Sequence, residues 1–140
     1  MKYLLDSCVI SELVKSKPDA RVVRWIEGSD EDALFLSVLT IGEIQKGIAR
    51  LDDSPRKEVL QQWLDRDLRA RFTTRILPIT EEVALAWGAT QAEAERKGAP
   101  IPTIDGLLGA TAKVHNLVVV TRNRRDLIRA AGQVLDPWEL

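Results

Sequence analysis

Residues Leu117–Thr121 read Leu-Val-Val-Val-Thr, with three successive valines and no polar alternation. A strand without a polar face has to be covered on both sides, as happens in parallel sheets packed between helices. Three other short apolar runs share this character: Lys2–Leu5, Ala33–Val38 and Arg75–Ile79. Between the runs the apolar residues fall at helical spacing. Cys8–Val14 forms one such piece, stopped before Pro18, and Val22, Val23 and Ile26, with Trp25 alongside, form a second, closed by Gly28. Further helices are expected over Thr40–Arg50, from Ser54-Pro55 to about Phe72, from Thr80 to about Lys97, and over Thr103–Val114. Gly98–Pro102 is a loop rich in breakers. Strands alternating with helices predict an α/β fold with a parallel sheet covered on both faces.

A chain of 140 residues fits one domain and buries roughly 70% of the surface its unfolded form exposes, so neither a disulfide nor a metal is needed for folding. The single cysteine, Cys8, excludes an internal disulfide and fits a reducing compartment. The single histidine, His115, argues against a zinc site built on several imidazoles. The apolar run at the N-terminus is too short for a signal peptide, and no stretch approaches the roughly 20 apolar residues of a membrane span. The expectation is a soluble, cytoplasmic domain without a membrane partner. The net charge of −1 says little as a sum. Arginines gather at Arg66, Arg69, Arg71 and Arg75, and again at Arg122, Arg124, Arg125 and Arg129, interspersed with Asp65, Asp67 and Asp126. Such groups suit either a nucleic-acid surface or solvated helix faces, and composition does not choose between them.

In open α/β sheets, ligands bind outside the carboxyl ends of the strands. Acidic and polar residues stand at those ends here. Asp6 follows the first strand, Glu43 lies in the first turns of the helix after the second, and Thr121-Arg122-Asn123, then Asp126, follow the strand from Leu117. Asp105 opens the helix leading into that strand. Converging carboxylates raise one another's pKa unless a cation neutralises them. Oxygen ligands without imidazole or thiolate suit hard ions such as Mg²⁺ or Mn²⁺, which activate water and stabilise charge on a phosphodiester. Each acid also has a structural explanation. Asp6 suits a helix cap, Thr40-Ile41-Gly42-Glu43 fits a capping box, Asp105 favours a helix dipole, and Asp126 either caps or is simply exposed.

Four segments together resemble the PIN-domain nucleases, especially VapC-type toxins and a related plasmid- and chromosome-borne subgroup. They are Leu4–Glu12 (Leu-Leu-Asp-Ser-Cys-Val-Ile-Ser-Glu), Ser37–Gly47 around Glu43, Asp105–Ala112, and Thr121–Leu127. The closing Asp136-Pro137-Trp138 is similar to that subgroup's tail. The match runs through essentially the whole chain in family order. It implies that residues 1–140 form a single PIN domain, a three-layer α/β/α fold around a central, mostly parallel sheet of four to five strands. It further implies an endoribonuclease in which Asp6, Glu43 and Asp105 bind one or two Mg²⁺ or Mn²⁺ ions. Asn123 and Asp126 occupy the fourth motif, where Asp126 is the further catalytic candidate. Ser7, Thr121 and Asn123 are expected to support the pocket, and Arg122, Arg124 and Arg125 to contact RNA. A toxin of this kind implies a small DNA-binding antitoxin, whose basic side chain enters the acidic pocket, and a homodimer.

The chain departs from the family at Cys8, where Asn is usual, and at Leu127, where an aromatic is usual; neither removes an expected ligand. Cys8 has the position of a small buried hydrophobe. His115 sits near a helix C-terminus, where partial positive charge is favourable. The four tryptophans, Trp25, Trp63, Trp87 and Trp138, read as core or dimer contacts, Trp63 alone lying beside basic residues. Two rival readings are an Mg²⁺-dependent phosphoryl-transfer or receiver domain, and a non-catalytic RNA-binding PIN-like domain. The first wants Asp-x-Asp or a late Lys, where this chain has Cys8 and Arg122. The second is opposed by the presence of all three carboxylates.

Overall fold

A computed structural model describes all 140 residues. The chain runs β1 (Tyr3–Leu5), α1 (Ser7–Leu13), α2 (Ala20–Glu27), a 3₁₀ turn (Glu31–Ala33), β2 (Leu34–Ser37) and α3 (Val38–Ala49). A long helix follows, α4 (Pro55–Gln62), a π-helical run (Trp63–Leu68) and α5 (Arg69–Arg71). The rest is β3 (Ile76–Leu77), α6 (Glu81–Arg96), α7 (Thr103–His115), β4 (Val118–Val120), α8 (Arg124–Ala131), β5 (Val134–Leu135) and a 3₁₀ turn (Pro137–Glu139). The five strands form one sheet in the order β3-β2-β1-β4-β5, and every pairing is parallel. The fold is the expected α/β sandwich, with the fuller strand count and no antiparallel edge. No helix is long and apolar enough to cross a membrane.

Strand alternation divides the interior into two cores. Leu5, Leu34, Leu36 and Val120 point to one face, where they meet Val9, Ile10, Val22, Ile26, Ile44, Ile48, Leu64, Leu68, Phe72 and Trp138. Leu4 and Val119 point to the other and meet Leu108, Ala112, Leu117, Leu127 and Ala131, with Phe35 packed alongside. All three valines of β4 are buried, as a run without a polar face requires.

Several elements differ from the sequence expectation. α3 begins at Val38, because Ser37 is the cap and accepts from the Leu39 amide at 3.0 Å. The Thr40 capping box therefore does not form; Thr40 is buried inside the helix and its hydroxyl faces the Leu5 carbonyl. β3 shrinks to two residues, since Pro78 has no amide to extend the ladder. The stretch from Pro55 to Arg71 is helical as expected, but its middle turns are wide. They deliver Leu64 and Leu68 to the same core as Phe72.

Two of the first group of arginines serve the fold. Arg75 donates to the backbone carbonyls of Glu31, Leu34 and Arg71 and stacks on Phe72 at 4.8 Å. Arg71 grips Glu31 through both carboxylate oxygens, at 2.7 and 3.0 Å. These bonds hold the Glu31 carboxyl below its ordinary range. Arg75 thus ties the start of β2 to the end of α5, and the solvated-face and nucleic-acid readings both give way to an internal clamp.

On the opposite face α7 and α8 come unusually close. A Cβ on Gly109 would lie 2.4 Å from the Ala130 Cβ and 2.6 Å from its carbonyl carbon. Gly109→Ala is expected to cost about 1–3 kcal/mol through overpacking against backbone that has nowhere to go. Gly88→Ala in α6, where nothing lies within 4 Å, is expected to gain up to about 1 kcal/mol. Urea midpoints at constant m-value check both; equal midpoints for the two variants would refute the close approach.

Candidate functional site

β1 is the central strand, hydrogen-bonded to β2 on one side and β4 on the other. Its carboxyl end delivers Asp6 to the middle of the sheet edge. Asp6 is 7% exposed and both of its carboxylate oxygens are engaged. One accepts from the Ser7 amide at 2.8 Å and caps α1; the other accepts from the Thr121 hydroxyl at 2.7 Å. The capping reading of Asp6 holds, and the cap leaves its second oxygen turned to the end of β4. Thr121 is itself placed by β4, and it also takes the Asn123 amide on its hydroxyl oxygen at 3.0 Å.

Glu43 stands in the second turn of α3, released from any capping duty by Ser37. Its pKa is raised, first by burial, next by the charge of Asp6 and then, after a partial offset by the Ser7 hydroxyl, by Asp105; Lys46, one turn on, also lowers it. Asp105 lies in the first turn of α7, whose cap residue Pro102 contributes no side-chain bond. Asp105 is raised by burial, by Asp6 and by Asp126, and lowered by Asn123, whose amide donates to it at 3.2 Å. Asp126 sits in the first turn of α8, 3.8 Å from Arg129.

The structure therefore brings Asp6, Glu43 and Asp105 within one electrostatic neighbourhood, with Ser7, Thr121 and Asn123 attached to it and Asp126 on the Asp105 side. Arg122, Arg124 and Arg125 are exposed and their side chains bond none of the acids. Arg124 approaches Glu139 at 3.9 Å, and Arg122 lies over Trp138 at 5.2 Å.

Cys8 is more than a small hydrophobe. Its sulfur lies 3.9 Å from the Asp6 carboxylate and 3.7 Å from the Thr121 hydroxyl, and accepts the Arg122 amide at 3.5 Å. Burial, and then the charge of Asp6, push the thiol above its ordinary pKa, which keeps it protonated beside the carboxylate. Only its position two residues after Asp6 could have signalled this from the sequence. Glu12, by contrast, is drawn away from the site: it accepts from Lys15 and from the Asp19 amide, both at 2.9 Å, and closes the loop between α1 and α2.

Three carboxylates held together against their own repulsion, with no imidazole among them and one protonated thiol alongside, are the donor set of a hard divalent cation. As they stand, no three acidic, histidine or cysteine side chains converge tightly enough to enclose an ion, so binding would draw the carboxylates inward or use bridging water. The donor chemistry fits. Because Glu43 and Asp105 are raised, these two groups hold more protons in the folded chain than in the unfolded chain in the carboxylate range. Their contribution to the stability of the cation-free protein therefore declines as pH rises from the unfolded pKa through the raised values. In a chelator, Glu43→Gln is expected to raise the melting temperature at neutral pH and flatten that decline. A variant no more stable than the parent would mean that the carboxylates do not repel one another.

A PIN domain family model matches residues 3–133. The chain is 36% identical over 135 residues to the Toxin FitB of Neisseria gonorrhoeae, spanning 96% of this chain and 97% of that protein. It is 32% identical over 136 residues to the VapC ribonuclease Y4jK of Sinorhizobium fredii, spanning 97% of each. Among solved structures it is similar to FitAcB from Neisseria gonorrhoeae, with a TM-score of 0.92, 36% identity and 99% of both chains covered.

Proposed function

This chain belongs to the PIN-domain family, and we propose that it is a divalent-metal-dependent endoribonuclease acting as the toxin of a toxin–antitoxin pair. The observation that carries the reading is the set of three carboxylates, Asp6, Glu43 and Asp105, brought from three helix starts to one sheet edge and raising one another's charge cost. A naming of relatives as a toxin and as a VapC ribonuclease supports it. Residues 1–140 act as one domain.

Asp6, Glu43 and Asp105 would hold one or two Mg²⁺ or Mn²⁺ ions, which supply Lewis-acid stabilisation of the phosphodiester and a more acidic water. Thr121 and the Ser7 amide fix Asp6 in the rotamer that faces the pocket. Asn123 turns Asp105 toward the same point. Asp126, whose charge is felt at Asp105, is the further acid available to orient water or take a proton. Arg122, Arg124 and Arg125 supply positive charge beside the acids for an RNA strand. The partner is a small DNA-binding antitoxin that places a basic side chain in the pocket, and the toxin itself works as a homodimer.

Cleavage of single-stranded and structured RNA with Mg²⁺, Mn²⁺ or chelator tests the proposal. Asp6→Asn, Glu43→Gln and Asp105→Asn are each expected to lower metal-dependent cleavage about 100-fold or more. Thr121→Val, which removes only a ligand's support, should cost about 10–100-fold. RNA bound but left uncut by the parent protein would favour a non-catalytic binding domain, and activity surviving the carboxylate substitutions would remove the site.

A further inference from the structure

In the loop after β4, Thr121 is buried against Asp6, and Arg122 and Asn123 are exposed; Asn123 donates to Asp105, while Arg122 bonds none of the carboxylates. Its backbone is pinned by the amide bond to Cys8. Its side chain is also held, because the guanidinium lies over the ring of Trp138 at 5.2 Å. Trp138 is a rigid support: it is 6% exposed, belongs to the larger core, and its amide is capped by the buried Asp136 at 2.9 Å.

The second arginine group divides by partner. Arg129 donates to the Ala99 carbonyl and lies 3.8 Å from Asp126, so its charge is spent within the protein. Arg124 lies 3.9 Å from Glu139. Arg125 is exposed on the first turn of α8 with nothing to fix it. Arg122 is different, because its guanidinium lies over an aromatic ring, which takes none of its N–H donors, and no carboxylate pairs with it. The nearest acidic residue to feel it, Asp19, is already paired with Arg21 through bonds of 3.1 and 2.8 Å. An arginine held over a ring and paired with no carboxylate presents its donors in the fork that matches phosphate oxygens. The ordering cost of that contact is already met in the free protein.

We propose that Arg122, stacked on Trp138, is the fixed phosphate anchor of the site. It grips a backbone phosphate of the RNA strand beside the one at the carboxylates, so that the strand leaves the pocket across the β4–α8 loop and the C-terminal turn. The inference rests on the ribonuclease reading and narrows it, making Arg122 a substrate-positioning residue and leaving Arg124 and Arg125 as general positive charge along the strand.

Arg122→Met tests it, since methionine keeps an apolar cover on the indole while removing the charge and the fork. Binding of a fluorescent single-stranded RNA is measured with Ca²⁺ in place of Mg²⁺ across a salt series, with the strand checked to be intact after each measurement. Arg122→Met is expected to weaken binding about tenfold and to reduce the salt slope by about one, with an unchanged melting temperature. Arg122→Lys should keep the slope and lose part of the affinity, and Arg24→Met, an exposed arginine in the last turn of α2, should change binding by less than about threefold. On cleavable RNA, Arg122→Met should raise KM about tenfold with kcat nearly unchanged. Parental affinity and slope in Arg122→Met, or a loss tracking a lowered melting temperature, would overturn the anchor. If the parent cleaves RNA and Arg122→Met binds normally, only the anchor falls. If Arg122 governs binding by a chain that cuts nothing, the anchor stands and the ribonuclease reading falls.

Discussion

Asp6 does two jobs with one carboxylate, and much of the molecule is arranged so that it can. It sits at the end of the central strand, where the backbone is fixed from both sides; its own amide bonds Val120 at 3.0 Å. One carboxylate oxygen starts α1 and the other locks Thr121 at the end of β4. A buried carboxylate with only local capping bonds would be a costly stability feature. Here the two donors come from neighbouring strand ends, so the geometry of Asp6 is a consequence of sheet register. Any slip of β1 against β4 would break the hydroxyl bond and the pocket together, leaving only the local cap on Ser7.

The other acids are placed with less support, and each has its pKa raised. Glu43 and Asp105 each approach Asp6 from the start of a helix, and each is raised first by burial and next by Asp6. The protein accepts this repulsion instead of relieving it with a lysine or arginine inside the cluster; Lys46 offsets it only from one turn away, and Asn123 offers a neutral amide. An internal cation side chain would stabilise the free protein but occupy the place where an inorganic cation, or an inhibitor's basic group, would sit. Retained strain of this kind is what makes a pocket receptive.

What was legible in the sequence follows the range of the interaction responsible. The sheet was legible, because Val118–Val120 has no solvent face to offer, and so was the joint placement of Asp6, Glu43 and Asp105 at strand ends. The Thr40–Glu43 capping box was misleading: its spacing is right, but Ser37, three residues earlier, captures the helix start because β2 ends there. Local signatures compete, and strand length decides the winner. The wide turns at Trp63–Leu68 leave no compositional trace, since they answer to where Leu64, Leu68 and Phe72 must be buried. Strand β5 is two residues long and exists only through its pairing with β4, so no periodicity could announce it.

The arginines carry the same lesson into function. Within two clusters of nearly identical composition individual arginines meet different fates, and charge count does not separate them. Arg71 and Arg75 face Glu31 and a row of carbonyls left open by the ends of α5 and β2, so their donors are consumed inside the fold. Arg122 emerges where the neighbouring polar groups already have partners, Asp19 with Arg21 and Thr121 with Asp6. Its one available neighbour is an aromatic face, which holds a guanidinium without using its hydrogen bonds. Whether an arginine becomes a clamp or a free donor is thus fixed by the satisfaction of the groups around it.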